Sequence, residues 1–417
     1  MSRSVIVLGA GMIGVSIALH LRRRGAQVVL LDRAPPGEGA SFGNAGLIQR
    51  EAVHPHPFPR DIATLWRMAQ NRSVDASYHP SALLKLAGPL FKYWWHSAPS
   101  RYRPIAEAYA RLIVTCIDEH VALTRGTEAE ALLRPIGWMR LYNKQPALNA
   151  AIAEAEMLKR EQGVNYALLD EAGIAAAEPH LLVKRLGAIH WTDPLSVSDP
   201  QALTLFYAKR FTEAGGEILR GDALSLERHG AGWRVQSADG ARDAEQVVIA
   251  LGSVSAKLTQ RFGYAPPLFG KRGYHRHYRM QGNAVLNHGF MDADSGFVLV
   301  PMRAGVRLTT GAEFAPDDAP KTPVQLARAE PIARGLLPLA EAVEDDPWLG
   351  VRPCTPDMLP IIGPLPGQAG AWCAFGHAHQ GFTLGPTTGR LLAEMMMCEA
   401  PFIDPKPYDP ARYWNTP

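Results

Sequence analysis

Residues 4–32 read SVIVLGAGMIGVSIALHLRRRGAQVVLLD. An apolar run, Ser4–Leu8, meets Gly9-x-Gly11-x-x-Gly14. A helical segment follows to Arg24, and a second apolar run, Val28–Leu31, ends at Asp32. Strand, tight turn, helix and strand in this order predict the βαβ unit that holds a dinucleotide. Gly9 lets the chain turn, Gly11 lets backbone approach a pyrophosphate, and Gly14 lets the helix settle on the strand. Met12 and Ile13 open the helix, whose N-terminus faces phosphate charge. Asp32, followed by Arg33, is placed to accept from ribose hydroxyls and to repel a 2′-phosphate.

The chain has 417 residues, enough for two domains or one split domain, with 47% hydrophobic and 20% charged residues. This balance suits a globular protein with a sizeable core. Net charge is +3, and no Lys/Arg run advertises a nucleic-acid partner. Four scattered cysteines (Cys116, Cys354, Cys373, Cys398) contain no CxxC, so neither a zinc site nor a disulfide frame is expected. Arg3 and the apolar Val5–Leu21 imitate a signal peptide, but cleavage would destroy the βαβ unit. No other apolar run is long enough to span a bilayer, and a cytoplasmic location is expected. Leu83–His96 (LLKLAGPLFKYWWH) reads as a core helix broken at Gly88-Pro89. Its aromatic and basic character keeps peripheral contact with the inner membrane face as the alternative.

After Asp32 comes a loop of small residues, Pro35 to Gly46, with no prompt third strand. That departs from an ordinary NAD-binding domain and favours a flavin architecture assembled from distant pieces. Asp199–Ala214 reads as a helix capped by Ser198 or Asp199, leading through Gly215-Gly216 to a strand Glu217–Arg220. Ala223–Arg228 and Trp233–Ser237 alternate as a hairpin. Gln246–Ala250 is a buried strand ending in Leu251-Gly252-Ser253. Ala371–Phe375 is another strand, running through Gly376–Pro386 into a helix over Thr387–Met397. Helices near Ile105–Arg125 and Ala147–Gln162, with strands near Trp138–Tyr142, Tyr274–Met280 and Phe297–Pro301, suggest a second domain.

Four separated motifs carry a resemblance. They are VIVLGAGMIGVSIALHL…VVLLDR, the Ser41…Asn44-Ala45-Gly46 loop, VVIALGSVS, and Gly350-Val351-Arg352-Pro353-Cys354-Thr355-Pro356-Asp357 leading to GHAHQGFT. Together they resemble the FAD-dependent amino-acid oxidase and dehydrogenase family, which includes D-amino acid dehydrogenase, glycine oxidase, sarcosine oxidase and D-amino acid oxidase. The resemblance spans essentially the whole chain and is nearest to bacterial D-amino acid dehydrogenase. It implies an α/β fold: a Rossmann-like FAD-binding domain from residues 1–52, 196–262 and 346–417, plus an α+β substrate domain with an antiparallel sheet from 53–195 and 263–345.

The resemblance assigns FAD contacts to Gly9, Gly11, Met12, Ile13, Gly14, Asp32 and Arg33 at the N-terminus. It adds Ser41, Asn44, Ala45, Gly46 and Leu47, then Ala223 and Gly252. The last group is Gly376, His377, Gly381, Phe382 and Thr383. Gly43, Ala45 and Gly46 are small enough for backbone to approach the flavin ring. Arg352 aligns with the arginine that grips substrate carboxylate, where a planar guanidinium gives two parallel hydrogen bonds. Tyr274 is expected as a second substrate contact. His275 and His377 are expected beside the flavin, each from a His-x-His pair (His54/His56, His275/His277, His377/His379). No Asp, Glu or Cys stands at ligand spacing from these pairs, so no metal is expected.

Gly350 occupies the place of the cysteine that tethers flavin in some relatives, and Cys354 sits too close to Thr355, so the FAD is expected to be non-covalent. The implied activity is oxidative deamination of a D-amino acid, with hydride leaving Cα for flavin N5 and water hydrolysing the imine to a 2-oxo acid and ammonia. The implied electron acceptor is a quinone or another carrier, with oxygen left open. Lys271–His275 (KRGYH) differs from the dehydrogenase pattern, which keeps D-proline, D-hydroxyproline, glycine or sarcosine as alternative substrates. An NAD-dependent dehydrogenase or a non-catalytic flavoprotein subunit remains the reading from another class.

Overall fold

The computed structural model describes residues 3–316 and 319–414. Along the chain, the elements that position the site are β1 (Ser4–Leu8), α1 (Met12–Arg23), β2 (Gln27–Asp32), α2 (Ile62–Ala69), α3 (Pro80–His96), α4 (Pro200–Glu213), β3 (Glu217–His229), β4 (Gln246–Ile249), β5 (Phe269–Met280), β6 (Trp348–Cys354), β7 (Ala371–Phe375) and α5 (Gly385–Met396).

The first sheet has eight strands, and its centre is the parallel array β3-β2-β1-β4-β7. β1, β2, β4 and β7 are near-continuous apolar runs because helices or further chain cover both faces, whereas β3 at the flank of the array is polar and half exposed. Residues 4–32, 217–249 and 361–375 all contribute, so the nucleotide sheet is assembled from distant segments as expected. α1 is buried along almost its whole length, between this sheet and α5. The two helices approach closely because α5 presents glycines: a Cβ on Gly385 would stand 2.4 Å from Met12 Cγ, and one on Gly389 would stand 2.8 Å from the Ser16 carbonyl oxygen. Asp199 caps α4, its Oδ1 accepting from the Ala202 N–H at 3.0 Å.

The second sheet has eleven strands and is antiparallel apart from two parallel pairings. Within it, β5 pairs with β6 over the full length of β6. β6 lies in the 346–417 segment expected to join the nucleotide domain, yet its hydrogen bonds place it in the second sheet. A three-stranded sheet joins Leu47–Ile48, Leu195–Val197 and Leu133–Arg134.

α3 corrects one expectation. It runs unbroken through Pro89, and only Ala82 and Tyr93 are buried along it. Proline removes the N–H that would bond the carbonyl four residues back, on Lys85, and Lys85 is exposed, so water can serve that carbonyl. With α2 it presents a surface on which Ile62 (84% exposed), Trp66 (70%), Leu84 (88%) and Phe91 (60%) stand in solvent. α3 is therefore an exposed surface helix rather than a core helix. No helix among the described residues is long and apolar enough to cross a membrane.

Candidate active site

The carboxyl ends of β1, β2, β4 and β7 open onto a single crevice, the place where open α/β sheets bind ligands. Gly9–Gly14 follow β1, Asp32 and Arg33 close β2, Gly252 follows β4, and Gly376 follows β7. Gly9 adopts φ +105°, and a Cβ there would stand 2.4 Å from the Ala250 carbonyl oxygen; a Cβ on Gly14 would strike the Gly9 carbonyl oxygen at 1.8 Å. α1 and α5 both begin without a side-chain cap and without an acid in the first turn. Their adjacent N-termini therefore turn two positive dipole ends toward phosphate charge. Asp32 takes N–H bonds from Ala10 (2.7 Å) and Ala34 (3.1 Å), which fixes its carboxylate beside the turn. Ser41 Oγ accepts from the Met12 N–H at 2.9 Å, tying the small-residue loop to the head of α1. Ala223 lies where β3 leaves β2 and its register with the neighbouring strand shifts. This arrangement fits a dinucleotide.

Two loops close the crevice toward the second sheet. In the first, Asn44 Oδ1 accepts from the Gly46 N–H (2.8 Å), and Arg307 donates to the carbonyls of Phe42 (3.0 Å) and Asn44. In the second, Thr383 Oγ1 donates to the Leu47 carbonyl (3.3 Å), and Gln380 Nε2 donates to Gln49 Oε1 (3.0 Å). The His120 ring, buried, meets the Phe382 and Thr383 carbonyls at 3.2 Å and the Tyr207 hydroxyl at 2.8 Å, buttressing this turn from behind. A bridge between Cys354 and His377 joins the second loop directly to the end of β6. Arg352 and the Gly376–Thr383 turn therefore share one side of the molecule.

The face of β5 and β6 beneath these loops brings several polar and charged side chains together. Residues directly opposite across the pair are Lys271 and Arg352, Gly273 and Gly350, His275 and Trp348. Gly273 makes room for the Arg352 guanidinium: a Cβ there would lie 2.5 Å from both Nη atoms. Arg352 donates to the carbonyls of Gly311 (2.9 Å), Thr310 (3.3 Å) and Arg272 (3.4 Å) and has no acidic partner among the described residues. Burial lowers its pKa. Gly350 makes room for the Trp348 indole, which stacks on His275 at 4.8 Å between centroids. Burial, with Arg307 and His277 nearby, pushes the pKa of His275 down to about 2. The rings of His56 and His379 stack at 4.9 Å. His56 keeps an accessible edge while surrounded by protein; this crowding, with the charges of Arg140 and Lys271, pushes its pKa to about 4. The pKa of His379 falls well below its usual value through burial first, then through His56, Arg352 and Lys271. Both imidazoles are neutral at pH 7.

Residues 4–395 match the family described as DAO, FAD dependent oxidoreductase. The chain belongs to this family. The DAO assignment makes it an FAD-dependent oxidoreductase, in accord with the crevice described above. Among solved structures, glycine oxidase from Geobacillus kaustophilus is similar at 22% identity, covering 99% of each chain with a TM-score of 0.72. Iminodiacetate oxidase from Chelativorans sp. BNC1 is similar at 22% identity, with 97% and 98% coverage and a TM-score of 0.69. L-proline dehydrogenase from P. horikoshii is similar at 17% identity, with 99% and 98% coverage and a TM-score of 0.71. At these identities the likeness shows a shared fold.

Within this DAO fold, two expected site residues lie elsewhere. Tyr274 is on the opposite face of β5 from Arg352, because alternate strand residues point to opposite faces. Its hydroxyl donates to Glu313 Oε2 (3.0 Å) and accepts from Arg272 (3.0 Å) and from the Thr322 N–H (2.8 Å). His377 turns into the core, where its Nε2 meets Thr388 Oγ1 at 3.0 Å; His379 is the member of that pair facing Arg352. Gly43 and Gly46 also serve other contacts. The Trp348 ring occupies the space over Gly43, and a Cβ on Gly46 would stand 2.2 Å from the Val197 carbonyl oxygen. Lys271, Trp348, His56 and His379 escaped the sequence reading as site residues. Lys271 and the two histidines stood in quoted motifs, but nothing local said which way each pointed.

Proposed function

We propose that this chain oxidises the Cα–N bond of an amino acid, with a D-amino acid as substrate and a 2-oxo acid and ammonia as products. One observation carries the reading: Arg352 is a half-buried guanidinium with no acidic partner among the described residues, beside the turn next to the proposed cofactor crevice. A carboxylate is the ligand such a group lacks. The D-preference rests on the Asn44-Ala45-Gly46 loop and the Arg352-Pro353…Thr355-Pro356-Asp357 stretch.

FAD would be held by Gly9–Gly14, Asp32 and the N-termini of α1 and α5 at its phosphates and ribose. Residues 41–47, Gly252 and the Gly376–Thr383 turn would lie nearer its flavin. Non-covalent binding is supported by Gly350, whose missing side chain is replaced by the Trp348 ring, and by Cys354, whose buried thiol meets the Arg352 carbonyl at 3.5 Å. When bound, the flavin accepts two electrons and the α-hydrogen as hydride. Arg352 fixes the carboxylate and so orients Cα. Neutral His56 and His379 leave the substrate amine free of an added positive neighbour, and Trp348 with His275 forms a wall that limits water. No strong base is supplied, so the substrate must arrive as free amine.

A second reading is a secondary-amine substrate. Two fold neighbours are named for iminodiacetate and L-proline, both secondary amines, and the KRGYH stretch supports it. Anaerobic mixing of the holoenzyme with D- and L-amino acids, D-proline, glycine and sarcosine, followed at the flavin absorption band, tests both. Bleaching by D-amino acids alone supports the first reading, bleaching by D-proline or sarcosine supports the second, and a spectrum unmoved by every amine overturns both. A quinone or similar carrier is proposed as acceptor, reached at a membrane through the exposed α2–α3 face. Arg60 over Trp94 (4.1 Å) and Arg101 over Trp95 (3.7 Å) place cations beside its aromatics, as an anionic lipid surface would favour.

A further inference from the structure

Lys271 and Arg352 form a like-charged pair directly opposite one another on adjacent antiparallel strands. Such pairs are unfavourable unless something of opposite sign lies between or beyond them. Neither residue makes an ion pair with any described acid. The neighbours on this face are neutral: stacked His56 and His379, and Cys354, whose thiol pKa burial raises.

The two cationic heads also part company along the strand. The Lys271 ammonium leans toward the aromatic wall, 4.4 Å from the Tyr93 ring, 5.7 Å from Phe269 and 5.9 Å from Phe314, with the Tyr93 hydroxyl at 3.2 Å. The Arg352 guanidinium lies over Gly273 instead. Phe269 and Gly273 flank Lys271 on the same face of β5, about 13 Å apart at the usual strand rise. Two heads drawn toward opposite flanks make two anchor points, whereas a clamp on one carboxylate would bring them together. The aromatic faces orient the ammonium without neutralising it.

We propose that the site takes an amino or imino acid bearing a second anionic group, held by Lys271 while Arg352 holds the α-carboxylate. This rests on the reading that Arg352 anchors a carboxylate. The chemical class is that of short dicarboxylic amino acids and N-carboxymethyl amines.

The test uses non-oxidisable acids, which perturb the flavin spectrum when they enter the site. The yellow holoenzyme is titrated with propionate against succinate and with butyrate against glutarate. The dicarboxylates bind at least about tenfold more tightly to the wild type. In Lys271→Met the advantage vanishes and the monocarboxylate Kd stays within about twofold; Lys271→Arg keeps the advantage. Equal Kd values for mono- and dicarboxylates in the wild type, which need no variant to fold, overturn the proposal. So does an equal loss for both acids in Lys271→Met, which would mean both cations grip one carboxylate. If Arg352→Gln leaves every Kd unchanged, the amino-acid reading fails instead, and that outcome is separate from the other two.

Discussion

Tyr274 and Arg352 lie on opposite faces of one two-stranded unit, although Tyr274 follows directly on the glycine over which the guanidinium rests. The pleat alone separates the guanidinium proposed to hold substrate from a buried hydroxyl with its own partners. Tyr274→Phe is therefore expected to leave KM within about twofold. It removes a hydroxyl serving Glu313, Arg272 and Thr322 in a closed interior, at a cost of about 1–3 kcal/mol. Thermal unfolding and steady-state kinetics on the same preparation separate the two effects. A large rise in KM at unchanged Tm would return Tyr274 to the substrate pocket.

Arg352→Ala is expected to raise KM for the amino acid by a factor corresponding to about 2–5 kcal/mol, since a carboxylate in a closed pocket would lose its countercharge. Arg352→Lys recovers only part of this, because an ammonium cannot reproduce two parallel hydrogen bonds. Flavin content should be unchanged in both variants. KM unaltered in Arg352→Ala removes the residue from the role.

Gly14→Ala tests the cofactor cradle. The added methyl would stand 1.8 Å from the Gly9 carbonyl oxygen, so the turn after β1 must move. Overpacking of this kind costs about 1–3 kcal/mol and acts where the pyrophosphate would bind. The purified variant should lose flavin on gel filtration, read as a fall in the ratio of 450 nm to 280 nm absorbance at about unchanged far-ultraviolet circular dichroism. Full retention of flavin would contradict the placement.

Glu51 gives a prediction in pH. It is buried behind the loop at Gln49, with Oε1 accepting from Trp138 Nε1 (2.7 Å) and Gln49 Nε2 (2.9 Å). Burial raises its pKa from 4.5 to about 7. A carboxyl whose folded pKa is raised contributes stability below its unfolded pKa and loses it as pH rises through the folded one. Relative to Glu51→Gln, the wild type should weaken between about pH 4.5 and 7, by about 3 kcal/mol. The histidines work in the opposite sense. His20 and His377 (about 3) and His120 (about 4) are all lowered chiefly by burial, so both proteins lose stability as pH falls below 6.5. Only the difference in Tm between the two proteins isolates Glu51; a difference that stays flat from pH 4.5 to 8 would refute the assignment.

The α2–α3 face predicts flotation with anionic vesicles at low salt. Replacing Trp66 and Phe91 by Ser should abolish it while turnover with a water-soluble acceptor is kept. Each large side chain withdrawn from water contributes about 1.5–3 kcal/mol, so two such losses are enough to detach the protein. Unchanged flotation would discard the lipid surface as the partner.

The nucleotide half was legible in the sequence because its signals are local. Gly9, Gly11, Gly14 and Asp32 lie within one βαβ unit, and spacing alone states their geometry. The return of β7 and α5 was legible more faintly, from the missing third strand after Asp32 and a late apolar strand running through glycines into a helix. The substrate half resisted for a different reason. Which of Lys271, Arg272, Gly273, Tyr274 and His275 faces the pocket depends on pairing with a strand some eighty residues later, and a shift of one residue inverts the answer. Tyr274 was expected at the substrate through the family resemblance, with no sight of this pairing. The exposure of α3 was hidden because its apolar residues imitate a core helix, and only packing distinguishes the two.

The interlock between α1 and the glycines of α5 has a temporal consequence. A ribosome releases α1 more than 350 residues before it releases Gly385 and Gly389. Until then the head of α1 lacks its second cationic dipole, and one flank of that helix stays bare. Nascent chains should therefore capture FAD only at the end of translation, and truncations that end before α5 should emerge colourless.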